Sequence, residues 1–223
     1  MTGVYMHALG DEADQLHARV RDRYDIGPDD DVAWVGRGLM DITRGTLAVP
    51  ALYAMTTRNL LFPEHGEEVP FTVTTVGFRT ENGHEALTTR RAFRFDGTRR
   101  RFDSLTVWDD ENDRLLDFLG RGGHIASELH PRVENGALVV EGGRQWARLG
   151  GRYLSVPGPL GADIEVRDRY DEADERFHVT ATVESALAGH ILGYRGTFDQ
   201  KTEPMERVPS DLRPTTVGSL PPV

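Results

Sequence analysis

From Glu68 to Phe198 the chain keeps one rhythm: short segments in which apolar and polar side chains alternate, broken by tight-turn signals. A period of two sends successive side chains to opposite faces of a strand, so each segment has one face to bury and one to expose. The segments are 68–80, 84–95, 99–109, 113–119, 124–133, 137–141, 145–156, 163–171, 175–185 and 189–199. Asn82-Gly83, Asp96-Gly97 and Asn135-Gly136 are two-residue hairpin signals, because the positive φ angles of such turns suit Asn, Asp and Gly. About ten short strands joined this way predict a mainly β protein: one antiparallel barrel, or a strongly curved sheet that folds on itself.

What precedes the strands is different. Residues 11–23, DEADQLHARVRDR, read as a helix with Asp11 at its cap and Leu16 and Val20 one turn apart. VAWVGRGLMDITRG then alternates apolar with small or polar residues and reads as a strand bent at its glycines. In TLAVPALYAMTTRNLLF, Leu47, Ala51, Ala54 and Met55 have helical spacing and Pro50 fits a first turn, giving a packing helix or lid over one opening. Residues 200–223 carry five prolines and no periodicity, and read as a tail extended or draped on the surface of a domain spanning 1–199.

The 223 residues suit one large domain. Without cysteine there is no disulfide framework, thiolate metal site or cysteine nucleophile. The formal charge of −10 opposes nucleic-acid binding, which rewards proteins that neutralise phosphates. No apolar run approaches the roughly 18 residues of a membrane span, and no charged-then-apolar leader opens the chain, so a cytoplasmic protein is expected. Lys201 is the only lysine among 26 basic residues, which leaves no Schiff-base lysine within the strands.

The arginines of TTRRAFRFDGTRRRFDSLTVWD pose the sharpest question, since charged side chains are rarely buried unless paired. If Asn82-Gly83 and Asp96-Gly97 both form two-residue turns, paired positions sum to 165 and 193. Arg91 then shares a face with Val76, Phe78, Leu87, Phe93, Phe95, Phe102 and Trp108, while Arg90, Arg94, Arg99, Arg101 and Asp103 take the other. An inward Arg91 needs a carboxylate, carbonyls or an anionic ligand group. On later strands Asp168 lies on an apolar stripe with Ile164, Val166 and Tyr170, and His190 shares a face with Leu192, Tyr194 and Phe198. Arg91, Asp168, His190 and Tyr194 are therefore expected to converge inside the sheet, as a ligand-binding group or as acid–base machinery.

Other motifs exclude more than they propose. His124, Glu128 and His130 would spread over roughly 20 Å of extended strand at about 3.3 Å per residue, too far for all three to share one ion without a bulge. GRGG at 120–123 and GRG at 36–38 lack the strand–loop–helix setting of a nucleotide site, and neither a Gly-x-Ser-x-Gly elbow nor a phosphate-binding loop occurs. No metal set and no cofactor motif is expected.

Taken in order, LHARVRDRY, GRGLMDI, LLFPEHGEEVPFTV, RRAFRF, DFLGRGG and GHILGYRGTF resemble the DUF4166 family, a domain of unknown function, over roughly residues 5–199. The resemblance places the family's arginine–x–aromatic pattern on Arg91 and Phe93 and its closing Tyr-x-Gly on Tyr194 and Gly196. It also implies association with saccharopine-dehydrogenase-like reductases. Thr89 stands where the family usually has tryptophan. The expected architecture resembles calycin-like lipid-binding barrels, in which a helix caps the cavity. Three functions fit: a module holding a small hydrophobic or amphiphilic molecule through Arg91, Phe93, Asp168, His190 and Tyr194; an isomerase, cyclase or hydrolase using the same cavity; or an interaction domain with a filled core.

Overall fold

The computed structural model describes residues 2–213 and 219–223. Helix α1 (Val4–Leu9), a 3-10 turn (Gly10–Gln15) and α2 (Ala18–Tyr24) lead into β1 (Val32–Arg44), and α3 (Val49–Thr56) follows. The remaining strands are β2 (Gly66–Arg79), β3 (Glu85–Phe95), β4 (Thr98–Asp109), β5 (Arg114–Leu119), β6 (Ile125–Glu134), β7 (Ala137–Leu149), β8 (Arg152–Ser155), β9 (Asp163–Asp171), β10 (Arg176–Ser185) and β11 (Gly189–Pro204). They pair in the order β6-β5-β4-β3-β2-β1-β11-β10-β9-β7, and a β6–β7 pairing closes the ring into a ten-stranded antiparallel barrel. β8 stands outside the ring as a hairpin on the end of β7. No helix among the described residues is long and apolar enough to cross a membrane.

Closure demands close contact between the first and last strands. A Cβ on Gly38 would collide with the Thr197 carbonyl, and one on Gly196 with the Leu39 carbonyl. Glycine at these two positions lets β1 and β11 coil tightly against each other.

Three details depart from the sequence reading. Residues 11–23 are not one helix: Leu16 is extended, and the helix restarts after His17, whose Nδ1 accepts the Arg19 N–H. The broken path turns Val4, Met6, Leu9, Leu16 and Val20 all into the core, which one straight helix could not do. Segments 137–141 and 145–156 are not two strands divided at Gly142-Gly143. β7 runs through, with a bulge opposite Glu128 absorbing the irregularity, and turns only at Gly150-Gly151. The third departure is the register at Asn82-Gly83. Thr80 N–H donates to the His84 carbonyl and Phe78 pairs with Ala86, so positions sum to 164 across a three-residue loop.

That slip of one residue moves Val76 and Phe78 to the outside, while Phe71, Val73 and Thr75 share the inner face with Arg91. The Asp96-Gly97 turn keeps the expected register, with Arg91 opposite Phe102. The barrel consequently has a second apolar layer outside the wall. Phe78, Leu105, Val107, Leu116, Phe118 and Trp146 are buried there beneath Tyr153, Val208 and Leu220, and Val76 lies under Leu212. The segment after β11 is thus packed against the wall. Arg213 sits 5.3 Å over the Phe78 ring, Asp211 pairs with Arg90 at 2.8 Å, and the buried Arg114 joins Asp109 to the carbonyls of Pro221 and Pro222.

Candidate functional site

Inside the barrel lies a cavity of about 280 Å³. α1 and α2 close one end, contributing Tyr5, Arg23 and Tyr24 to its lining. Towards the other end the wall is apolar, with Met55, Leu60, Leu119, Ile125, Val156 and Ile191. Leu160 both lines the cavity and stands exposed, so the cavity reaches the surface beside the 3-10 turn Gly158–Leu160.

Arg91 and Asp117 are the charged groups that strands present to this space. The Arg91 guanidinium lies 4.8 Å over the Phe102 ring and donates one long hydrogen bond, 3.4 Å, to Ser104 Oγ. Among the described residues it forms no ion pair. Asp117 accepts a hydrogen bond from Thr106 Oγ1 at 2.8 Å, and burial pushes its carboxyl above the usual range against the opposing pull of Thr106 and Arg91. Burial likewise pushes the Tyr5 phenol upward, so it stays protonated. The arrangement offers one fixed cation, one carboxyl biased toward its neutral form and several hydroxyl donors in a low-dielectric space. Those groups suit an anionic or carbonyl-bearing ligand head.

The five residues singled out from the sequence divide. Arg91 and Tyr194 both line the cavity. Phe93 is fully buried in the wall, with its ring 5.6 Å from that of Tyr194. Asp168 does not meet Arg91. It accepts from Arg23 Nε at 2.9 Å and from the Tyr24 hydroxyl at 2.8 Å, and burial raises its carboxyl while Arg23 works against that shift. His190 lies outside the lining, hydrogen-bonded to Thr43 Oγ1 at 3.0 Å. Asp117, Arg23 and Tyr24 were not read as site residues, although the signals were present. Asp117 interrupts an apolar stripe between Leu115 and Leu119, as Asp168 does on its own strand, and Val20, Arg23 and Tyr24 have helical spacing.

His124, Glu128 and His130 form no cluster. Among the described residues only Asp171, Asp174 and His178, at the β9–β10 turn, bring three ligand-type side chains within 4.8 Å. Arg169 and the Ala173 N–H already occupy Asp171.

The family model for the domain of unknown function DUF4166 matches residues 16–198. The chain is 29% identical over 189 residues to the uncharacterized protein YndH of Bacillus subtilis strain 168, covering 83% of this chain and 91% of that one. No solved structure matches.

Proposed function

We propose that this chain, which belongs to the DUF4166 family, binds a small amphiphilic molecule in its barrel, with an anionic head at Arg91 and an apolar body toward the mouth. The observation that carries this reading is Arg91 itself, a guanidinium enclosed by the barrel, facing open volume, with no carboxylate partner among the described residues. Arginine keeps its charge when buried, so the site retains a cation that a carboxylate or phosphate can satisfy. The volume lies near the lower end of small-molecule sites, about 300 Å³, which favours a single-chain or compact ring amphiphile over a two-chain lipid. In this reading the protein works in the cytoplasm in the manner of calycin-like carriers, and a saccharopine-dehydrogenase-like reductase is a candidate partner.

Native mass spectrometry of the purified protein tests it for a retained ligand, and titration with a dansyl-labelled fatty acid tests the head group. Hydrogen bonds to charged groups contribute about 1.5–3 kcal/mol, so Arg91→Met should weaken probe binding about tenfold or more. Equal binding by the variant and the parent would sink the proposal.

One observation favours a catalytic second reading. Asp117, biased toward its protonated form and sharing the cavity with Arg91 and Tyr5, has the setting of a general acid. In that case Asp117→Asn should keep probe affinity and abolish turnover.

A further inference from the structure

We propose that the open end of the barrel docks on an anionic lipid surface, with the β7–β8 hairpin and the Gly158–Leu160 turn as its apolar insertion. Among the described residues eight large apolar side chains are exposed, and six of them lie at this one end. Leu47, Tyr53, Leu149, Leu154, Leu160 and Leu187 are 53–77% exposed and sit on the β1–α3 connection, α3, the β7–β8 hairpin, the 3-10 turn and the β10–β11 turn. Antiparallel pairing brings all these connections to the end opposite α1 and α2.

Only the tip of the hairpin stands clear of the barrel, since Tyr153 behind it packs on Phe118 and donates to the Gly123 carbonyl. β6 and β7 pair only as far as Ile125 opposite Ala147, and Leu149 pairs with Arg152 across Gly150-Gly151. Both glycines have positive φ, and a Cβ on either would meet nothing within 4 Å. β8 is an edge strand, the place where soluble proteins usually set charge against association, yet it exposes Leu154.

Four arginines without a carboxylate partner lie together at this end: in a chain of net charge −10, Arg58, Arg121, Arg148 and Arg152 have none among the described residues. They are close together: Arg121 N–H donates to the Arg58 carbonyl, and Arg148 N–H to that of His124. Burial and the charges of Arg58 and Arg148 hold His124 below its usual pKa. Asp163 and Glu184 lie on β9 and β10, on the side of β7 away from β6, so the rim that meets lipid phosphates is the one formed by the β5–β6 connection and the β7–β8 hairpin. Apolar side chains on five separate elements, leucines on four and Tyr53 on α3, offer no single stripe for a helix or strand of a partner, whereas a fluid interface takes each apolar point independently while arginines meet phosphates. Leu160 would then carry the cavity opening to the acyl region, giving an apolar ligand a path that avoids water.

Co-sedimentation with phosphatidylcholine vesicles, with and without phosphatidylglycerol, tests the surface. The protein should bind the mixed vesicles, and added salt should weaken binding. Leu149→Ser with Leu154→Ser should weaken it about tenfold or more, and Arg148→Glu and Arg152→Glu at least about fivefold each. Melting should be unchanged for the leucine pair and Arg152→Glu, whose side chains are exposed, and slightly lower for Arg148→Glu, whose half-buried guanidinium lies 5.8 Å from the Tyr153 ring. Arg91→Met should bind vesicles like the parent, so failure of the cavity reading and failure of this one are separable. No binding to the mixed vesicles, or equal binding by the variants, overturns the proposal. A dimer that the leucine variants dissolve, without vesicle binding, overturns it in favour of a second copy.

Discussion

Methionine at Arg23 should destabilise strongly and methionine at Arg91 hardly at all, although both arginines are enclosed by the barrel and its helical plug. Arg23 donates to Asp168, which is 1% exposed and whose Oδ1 already lacks a partner. Removing the guanidinium leaves that carboxylate with only the Tyr24 hydroxyl, and breaking a buried pair from one side costs about 3–5 kcal/mol. For a chain of this size that is a fall in melting temperature of roughly 6–20 °C. Arg91→Met strands no ion pair. It loses one long hydrogen bond and a cation–π contact worth about 0.5–2 kcal/mol, removes a desolvated charge, and gains a thioether–aromatic contact of about 0.3–1.5 kcal/mol with Phe102. The balance lies within about 1 kcal/mol, or a shift within about 4 °C. Differential scanning calorimetry of the two variants, each with and without the fatty-acid probe, reads both quantities. If Arg91→Met melts as low as Arg23→Met, Arg91 is a structural cation and the ligand argument fails.

The other predictions concern Asp117 and the C-terminal segment. Because burial raises the Asp117 pKa in the folded state, that state holds more protons than the unfolded one from the ordinary carboxylate value upward, and stability falls as pH rises through the window. Asp117→Asn should therefore melt above the parent at pH 7, with the gap closing toward about pH 4, and a lower melt at pH 7 would mean that Arg91 holds the carboxylate ionised. Leu212→Ala uncovers Val76 and should cost about 2 kcal/mol, a loss of about 4–8 °C, whereas unchanged melting would show the segment contributes nothing. Arg114→Ala strands the buried Asp109 and releases the Pro221 and Pro222 carbonyls, so limited proteolysis should cut the C-terminal segment faster than in the parent.

The barrel was legible because alternation is a local property: each strand declares its two faces, and glycine-bearing turns declare where it reverses. What was not legible was the length of one loop. Asn82-Gly83 carries the composition of a two-residue turn, but Thr80 and His84 close a three-residue one, and nothing nearby distinguishes them. The consequence reaches far along the chain. With Phe78 and Val76 turned outward, the wall needs a cover, and Val208, Leu212 and Leu220 provide it from a segment whose own sequence shows no period. An aperiodic stretch reads as unpacked only when the surface that it covers is unseen.

The site illustrates a related limit. Parity along a strand says which face a residue takes, but neither its height in the barrel nor what the helices bring to it. Asp117 and Asp168 give the same signal, an acid on an inward apolar stripe. Their surroundings differ because α2 descends beside β9 and delivers Arg23 and Tyr24 to Asp168, making a closed structural pair. No helix reaches Asp117 with a cation; it shares open volume with Arg91, a residue on a different strand that forms no ion pair among the described residues. Identical patterns thus become a structural ion pair in one place and a candidate site in the other, and the difference was written in HARVRDRY, a segment whose spacing predicts a helix and whose charges predict nothing until the barrel exists. The pair of variants at Arg23 and Arg91 therefore tests more than two side chains. It asks whether the plug satisfies the acid it covers and leaves the cation that it does not touch for a ligand.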